Sequence, residues 1–238
     1  MAMTFKDRYL RVMGEVAACC EDCGRDPSEV RVVAVSKTVG PEEVGEAVRA
    51  GAVDFGENRP DQIVQKQELY PEQNWHFIGN IQSRRIPDIV SHACMVHSVF
   101  QEHHLARIDS AAAGLGKVQD ILLEVNVSGE ESKSGLEPSQ VEGMLAACEP
   151  YEHIRVCGLM TMAPQGDLAA ARECFEGLAR LRDELRCGLS PDRAAVFHDL
   201  SMGMSEDWRE GIAAGATMIR IGRALFSESF AEDVPTQA

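Results

Sequence analysis

Val32-Val33-Ala34-Val35-Ser36-Lys37 is the stretch on which the fold turns. An apolar run of this length reads as a buried β-strand. It closes on a lysine, a charge where the pattern calls for packing. Desolvation at such a place favours the neutral amine, and a neutral amine is a nucleophile toward carbonyls. The plainer reading is a lysine that snorkels at a strand exit. Lys37 alone does not choose between the two; the rest of the chain has to.

Working outward, strand-like and helix-like segments alternate from end to end. The apolar runs are Val30–Ser36, Ala52–Phe55, Trp75–Ile78, Met95–Val99, Val118–Val127, Arg155–Met160, Ala195–Ser201 and Thr217–Ile221. An amphipathic helix is expected ahead of them, over about Phe5 to Cys23. Pro41-Glu42-Glu43 and Pro138-Ser139-Gln140 look like helix starts, and Ala169 to Arg186 like a long surface helix. Eight strand–helix units without a linker or low-complexity break predict a single (β/α)8 TIM barrel over residues 1–238, with an extra N-terminal helix. The competing architecture is an open doubly wound sheet. No G-x-G-x-x-G follows the first strand, and Gly114-Leu115-Gly116 reads as a helix-ending turn, which weakens the dinucleotide version of that alternative.

Composition agrees. Of the 238 residues, 45% are apolar but only 5% aromatic, so the core must be mostly aliphatic. A net charge of −15 argues against a nucleic-acid or anionic-membrane surface and leaves room for one small anion bound locally. No run approaches the roughly 20 apolar residues that cross a bilayer, and the N-terminus lacks a signal-peptide core. A soluble cytoplasmic protein is expected. Cys20 and Cys23 make one C-x-x-C, but no second pair follows at finger spacing, so no metal site is expected among the eight cysteines.

Barrels of this type carry their chemistry at the C-terminal ends of the strands. Here those ends include Ser36-Lys37, Gly56-Glu57-Asn58, Phe77-Ile78-Gly79, His97-Ser98, Asn126-Val127-Ser128, Leu159-Met160-Thr161, Ser201-Met202-Gly203-Met204-Ser205 and Arg220-Ile221-Gly222. The seventh reads as a strand, a glycine turn and a helix capped by Ser205, a junction that suits an anion. Gly222 adds a place where backbone can approach a ligand. Arg220 interrupts an apolar run and is expensive inside a barrel mouth unless paired. A lysine amine, a phosphate cradle and an inward arginine together point to pyridoxal phosphate (PLP). A sugar-phosphate aldolase is the rival, although its lysine usually lies on a later strand.

At this point the chain resembles a known family. Ala34-Val35-Ser36-Lys37-Thr38, Phe55-Gly56-Glu57-Asn58, Trp75-His76-Phe77-Ile78-Gly79, Asn126-Val127-Ser128 with Lys133-Ser134-Gly135, Gly158-Leu159-Met160-Thr161, Leu200-Ser201-Met202-Gly203-Met204-Ser205 and Arg220-Ile221-Gly222 resemble the pyridoxal phosphate homeostasis proteins, in order, from about residue 5 to 228. The resemblance implies a barrel like the N-terminal domain of alanine racemase. It implies PLP held as an internal aldimine on Lys37, its phosphate held by Ser201, Gly203 and the backbone around Gly222 and Arg223. Arg220 would face the pyridine nitrogen and keep it unprotonated, which makes the ring a poorer electron sink. Asn58 and His76 are added as residues near the cofactor; for His76 a satisfied place in the core is the competing reading. Alanine racemase draws a tyrosine from a second domain; this chain has no room for that domain, and Tyr9, Tyr70 and Tyr151 lie at no expected strand end. The implied role is therefore to carry or buffer PLP in vitamin B6 and amino-acid homeostasis, without robust catalysis, as a monomer, with PLP-dependent apoenzymes as possible recipients. A weak PLP-dependent racemase is the alternative.

The chain departs from the usual bacterial pattern in three places. Arg59-Pro60 stands where a tyrosine usually follows Phe-Gly-Glu-Asn, Arg84-Arg85 where a lysine often follows Gln82-Ser83, and Arg223 where a hydroxyl residue is common. An arginine forms no Schiff base, so a second PLP site at the first two is in doubt. His103 and His104 are expected on the surface.

Overall fold

In the computed structural model, which describes residues 3–130 and 132–231, eight parallel strands close into a barrel in sequence order. Helix α1 (Phe5–Asp22) precedes them, opened by Thr4, whose hydroxyl accepts from the Asp7 N–H while the Asp7 carboxylate accepts from the Thr4 N–H. Then follow β1 (Arg31–Val35), α2 (Pro41–Ala50), β2 (Asp54–Glu57), α3 (Pro60–Leu69), β3 (Asn74–Phe77), α4 (Ile86–His92), β4 (Met95–Val99) and α5 (Leu105–Gly114). The second half runs β5 (Gln119–Glu124), α6 (Val141–Ala147), β6 (Ile154–Met160), α7 (Leu168–Gly188), α8 (Pro191–Val196), β7 (Asp199–Met204), α9 (Trp208–Ala213), β8 (Met218–Ile221) and α10 (Arg223–Phe226). The extra helix α1 packs against α2, α9 and α10, over the seam where the barrel closes.

Closure puts β1 beside β8, with Val33 opposite Arg220 and Ala34 opposite Ile221. Each strand is then buried on both faces, which is why its sequence is nearly continuous in apolar residues rather than alternating. Inward residues Val33, Met95, Leu122, Cys157, Met160 and Met218 form a small aliphatic and sulfur-containing plug. Outward residues such as Ala34, Phe55, Trp75, Val96, Leu159 and Ile221 join the larger core under the helices. With one face of every strand inside a narrow barrel, few aromatic rings can be used.

Three local expectations are corrected. The seventh strand begins at Asp199, not Ala195, because Pro191 opens a helical turn in which Ala194 to Val196 lie. That strand continues through Gly203, at φ +93°, to Met204. Ser205 caps no helix after it: α9 starts only at Trp208, with Asp207 before it taking the Met204 N–H on its carboxylate. His104 is buried rather than on the surface, its Nε2 3.2 Å from the Ser83 hydroxyl. Among the described residues no helix is long and apolar enough to cross a membrane.

Candidate functional site

Lys37 lies two residues past the end of β1 and is exposed. The burial expected of it is not found: the strand's burial ends at Ser36. Among the described residues its amine makes no hydrogen bond or ion pair. The backbone before it is held firmly. The Ser36 carbonyl accepts from Lys66 Nζ at 2.8 Å, and the Ser36 hydroxyl donates to Glu57 at 2.6 Å. Lys66 Nζ also meets the same Glu57 oxygen at 2.5 Å. All three side chains are fully buried, and the second Glu57 oxygen has no partner among the described residues. Lys66 was invisible to sequence reasoning, since a lysine on a polar helix reads as solvated.

Arg220, third residue of β8, points into the barrel and is buried. It donates to the Ser201 hydroxyl at 2.6 Å and to the Thr161 carbonyl at 2.9 Å. No carboxylate among the described residues lies within ion-pair distance. Burial pulls its pKa down to about 10, with the Asp207 and Glu124 charges acting the other way. It stays a cation at neutral pH. Glu124, at the end of β5, shares the inward face of Leu122. Burial pushes its carboxyl up to about 7 despite the pull of Arg220. It stands two residues before the Asn126 strand end singled out from sequence, and its position in the strand, counted by twos from Leu122, was the available signal.

Ser201 and His76 lie deeper than a mouth-lining role requires. Ser201 is fully buried, between Arg220 and His97 Nδ1 at 2.9 Å. His76 has both ring nitrogens engaged, Nδ1 with His97 at 2.9 Å and Nε2 with Asp54 at 3.1 Å. It therefore occupies the core, and reaches the mouth only through His97 and Ser201. Asn58 is half-buried at the exit of β2.

The residue at the head of α10 is Ser205. Its hydroxyl oxygen faces the N–H groups of Gly222 (3.3 Å) and Ala224 (3.4 Å), long contacts that hold it loosely. Gly222 has φ −111°, which any residue adopts. A Cβ there would lie 3.4 Å from the Val35 carbonyl, an ordinary contact. Nothing within the protein demands glycine at 222, the residue whose N–H opens the cradle. Gly203 differs: besides its positive φ, a Cβ would come within 2.9 Å of Trp208 Cα. The Arg223 side chain turns away, to Glu206 at 2.6 Å and over the Phe230 ring.

An unpartnered amine, a loosely filled backbone cradle and an unpaired buried guanidinium thus share one end of the barrel. The donor set fits a phosphorylated aldehyde with a basic ring nitrogen. The barrel and its mouth define the class, and comparison agrees: residues 23–229 match the family described as alanine racemase, N-terminal domain. A pyridoxal phosphate homeostasis protein of Pseudomonas aeruginosa is 38% identical over 94% of this chain and 95% of its own length. A crystal structure of an unknown protein from Bifidobacterium adolescentis superposes with a TM-score of 0.87 at 32% identity, covering 93% of this chain and 94% of that one. PipY of Synechococcus elongatus PCC7942, with PLP bound, superposes at 0.77 and 32% identity, over 89% of this chain and all of that one (100%). The chain belongs to the pyridoxal phosphate homeostasis family.

Proposed function

We propose that this chain holds PLP through Lys37 and carries or buffers it, without robust catalysis. The observation that carries the reading is the buried, unpaired Arg220 guanidinium, set in the same mouth as the exposed Lys37 amine and the α10 cradle. When bound, PLP supplies an aldehyde that condenses with amines and a ring that withdraws electrons. The residues act on it in separate ways. Lys37 offers the amine. The N–H groups of Gly222, Arg223 and Ala224, with the Ser205 hydroxyl, bind the phosphate; Ser201 and Gly203 serve at one remove, by holding Arg220 and shaping the strand end. Arg220 keeps its protons and accepts none, so it orients the ring nitrogen without protonating it. Asn58, at the exit of β2, stands among the same strand-end residues.

A carrier needs no second catalytic group and no partner subunit, so we expect a monomer that passes PLP to apoenzymes in the cytoplasm. One observation favours weak racemisation as a second reading. Glu124 supplies a titratable carboxyl at the mouth where no tyrosine stands.

The deciding experiment is the visible spectrum and intact mass of the purified protein with added PLP, before and after borohydride. We expect a visible absorption band from PLP bound to an amine, a permanent adduct after reduction, and loss of both in Lys37→Ala. A protein that stays colourless with excess PLP sinks the reading. Turnover of single-enantiomer amino acids at about one per second or more, abolished in Glu124→Gln, would replace the carrier with the racemase.

A further inference from the structure

Beneath Arg220 lies an unbroken line of hydrogen bonds through the barrel interior. It runs from Asp54 Oδ1 to His76 Nε2 (3.1 Å), from His76 Nδ1 to His97 Nε2 (2.9 Å), from His97 Nδ1 to the Ser201 hydroxyl (2.9 Å), and from that hydroxyl to Arg220 (2.6 Å). The two imidazoles meet edge to face, at 89° between planes, an arrangement compatible with the N···N hydrogen bond. His76, His97 and Ser201 are fully buried or nearly so; Asp54, at the start of β2, is half-buried. A barrel interior of this width could be filled with aliphatic side chains alone, so a continuous polar chain calls for an explanation.

Donor and acceptor rules allow this line two arrangements. Arg220 always donates to Ser201, because a guanidinium has no acceptor. When His76 is neutral, it donates from Nε2 to Asp54 and accepts at Nδ1 from His97 Nε2–H. His97 Nδ1 then accepts the Ser201 hydroxyl proton. When His76 is charged, its Nδ1–H donates to His97 Nε2. His97 must then carry its proton on Nδ1 and donate to Ser201, and the Ser201 proton is freed for another group. The passage between the two balances. One proton reaches Ser201 from the mouth, the Ser201 proton moves to His97 Nδ1, and the His97 Nε2 proton moves to His76 Nδ1. His97 stays neutral throughout and exchanges one tautomer for the other.

We propose that His97 is a positioning residue that relays protons between the barrel mouth and the Asp54–His76 pair, so that the charge on His76 decides whether Ser201, beside Arg220, offers a proton to the mouth. The surroundings favour this division of roles. Burial alone would lower both histidines. For His76 the Asp54 carboxylate and the Cys94 sulfur outweigh burial and push it up to about 9. For His97 burial is joined by the positive charges of His76, Arg220 and Arg31, which hold it well below the usual range. On β7, Asp199 takes up the Arg31 charge at 2.8 Å, and on β5 Glu124 acts on Arg220. At neutral pH the charge therefore sits on His76 and the Ser201 proton faces the mouth. What this does for a bound cofactor rests on the function proposed above; the relay itself does not.

The test uses the full chain with 15N-labelled histidine, freed of any PLP with hydroxylamine, and follows ring nitrogen shifts and two-bond couplings with pH. We expect His97 to carry its proton on Nδ1 at neutral pH and on Nε2 in alkali, changing at the same midpoint at which His76 loses its charge. Asp54→Asn should lower both midpoints together by about one unit or more. A His97 locked in one tautomer across the His76 titration overturns the proposal. So does a His97 that itself becomes charged above pH 6, or an Asp54→Asn variant that moves one midpoint without the other. The wild-type titration decides even if that variant fails to fold. Because no PLP is present, failure of the relay is separable from failure of the carrier reading.

Discussion

At the residue scale, the contrast is between two lysines. Lys37, expected to be desolvated, is exposed, while Lys66, unremarkable in sequence, is fully buried. Lys66 and Glu57 clamp the peptide ahead of Lys37, so the backbone that carries this amine is held by a buried pair the amine does not touch. Lys66→Met would leave the Glu57 carboxylate buried with only the Ser36 hydroxyl for company. We expect a loss of about 3–5 kcal/mol in urea unfolding. The double variant Glu57→Gln, Lys66→Met should recover a large part of it; if the double variant is no more stable than the single one, the cost is packing rather than stranded charge. Lys37 and Arg220 were legible as candidates because each breaks an apolar run. Lys66 was not: burial of a charge by a distant element leaves no mark in the local pattern.

At the scale of elements, the helix start at Pro41 was legible in the sequence, whereas the one at Pro191 and the limits of the strands were less so. The seventh strand is displaced toward the mouth because Pro191 claims the preceding residues for a helix. That displacement makes Ser205 part of the α10 cradle instead of a cap on α9. The two glycines nearby should behave differently. Gly203→Ala forces a side chain into a left-handed conformation against Trp208, and we expect a loss of about 1–3 kcal/mol by thermal or urea unfolding. Gly222→Ala should unfold within about 0.5 kcal/mol of wild type, yet bind PLP at least about tenfold more weakly in a spectroscopic titration, a cost of about 1.4 kcal/mol. Undiminished PLP affinity in Gly222→Ala would move the phosphate away from the α10 cradle.

At the scale of the whole molecule, the barrel interior holds a chain of titratable groups, and stability should follow pH accordingly. His76 has its folded pKa raised from 6.5 to about 9. Its contribution is fully present below about 6.5 and disappears as pH rises through 9, by up to about 3 kcal/mol. Glu124, raised from 4.5 to about 7, works in the same direction at lower pH, since the folded state holds its proton more tightly. The PLP-free protein should therefore unfold at lower urea concentration at pH 9 than at pH 6.5, and Asp54→Asn should flatten the difference. A midpoint that rises between those pH values would contradict the interior charge assignment. The sequence by itself determined the alternation of strands and helices, the aliphatic core, the barrel, and the strand-end residues that carry the family resemblance, because each is written in local pattern and spacing. Only the tertiary structure decided that Lys37 is exposed, that Ser201 and His76 lie beneath the mouth rather than in it, and that Asp54, His76, His97, Ser201 and Arg220 form one line. Those five residues come from β2, β3, β4, β7 and β8, and only closure of the barrel brings them within hydrogen-bond reach.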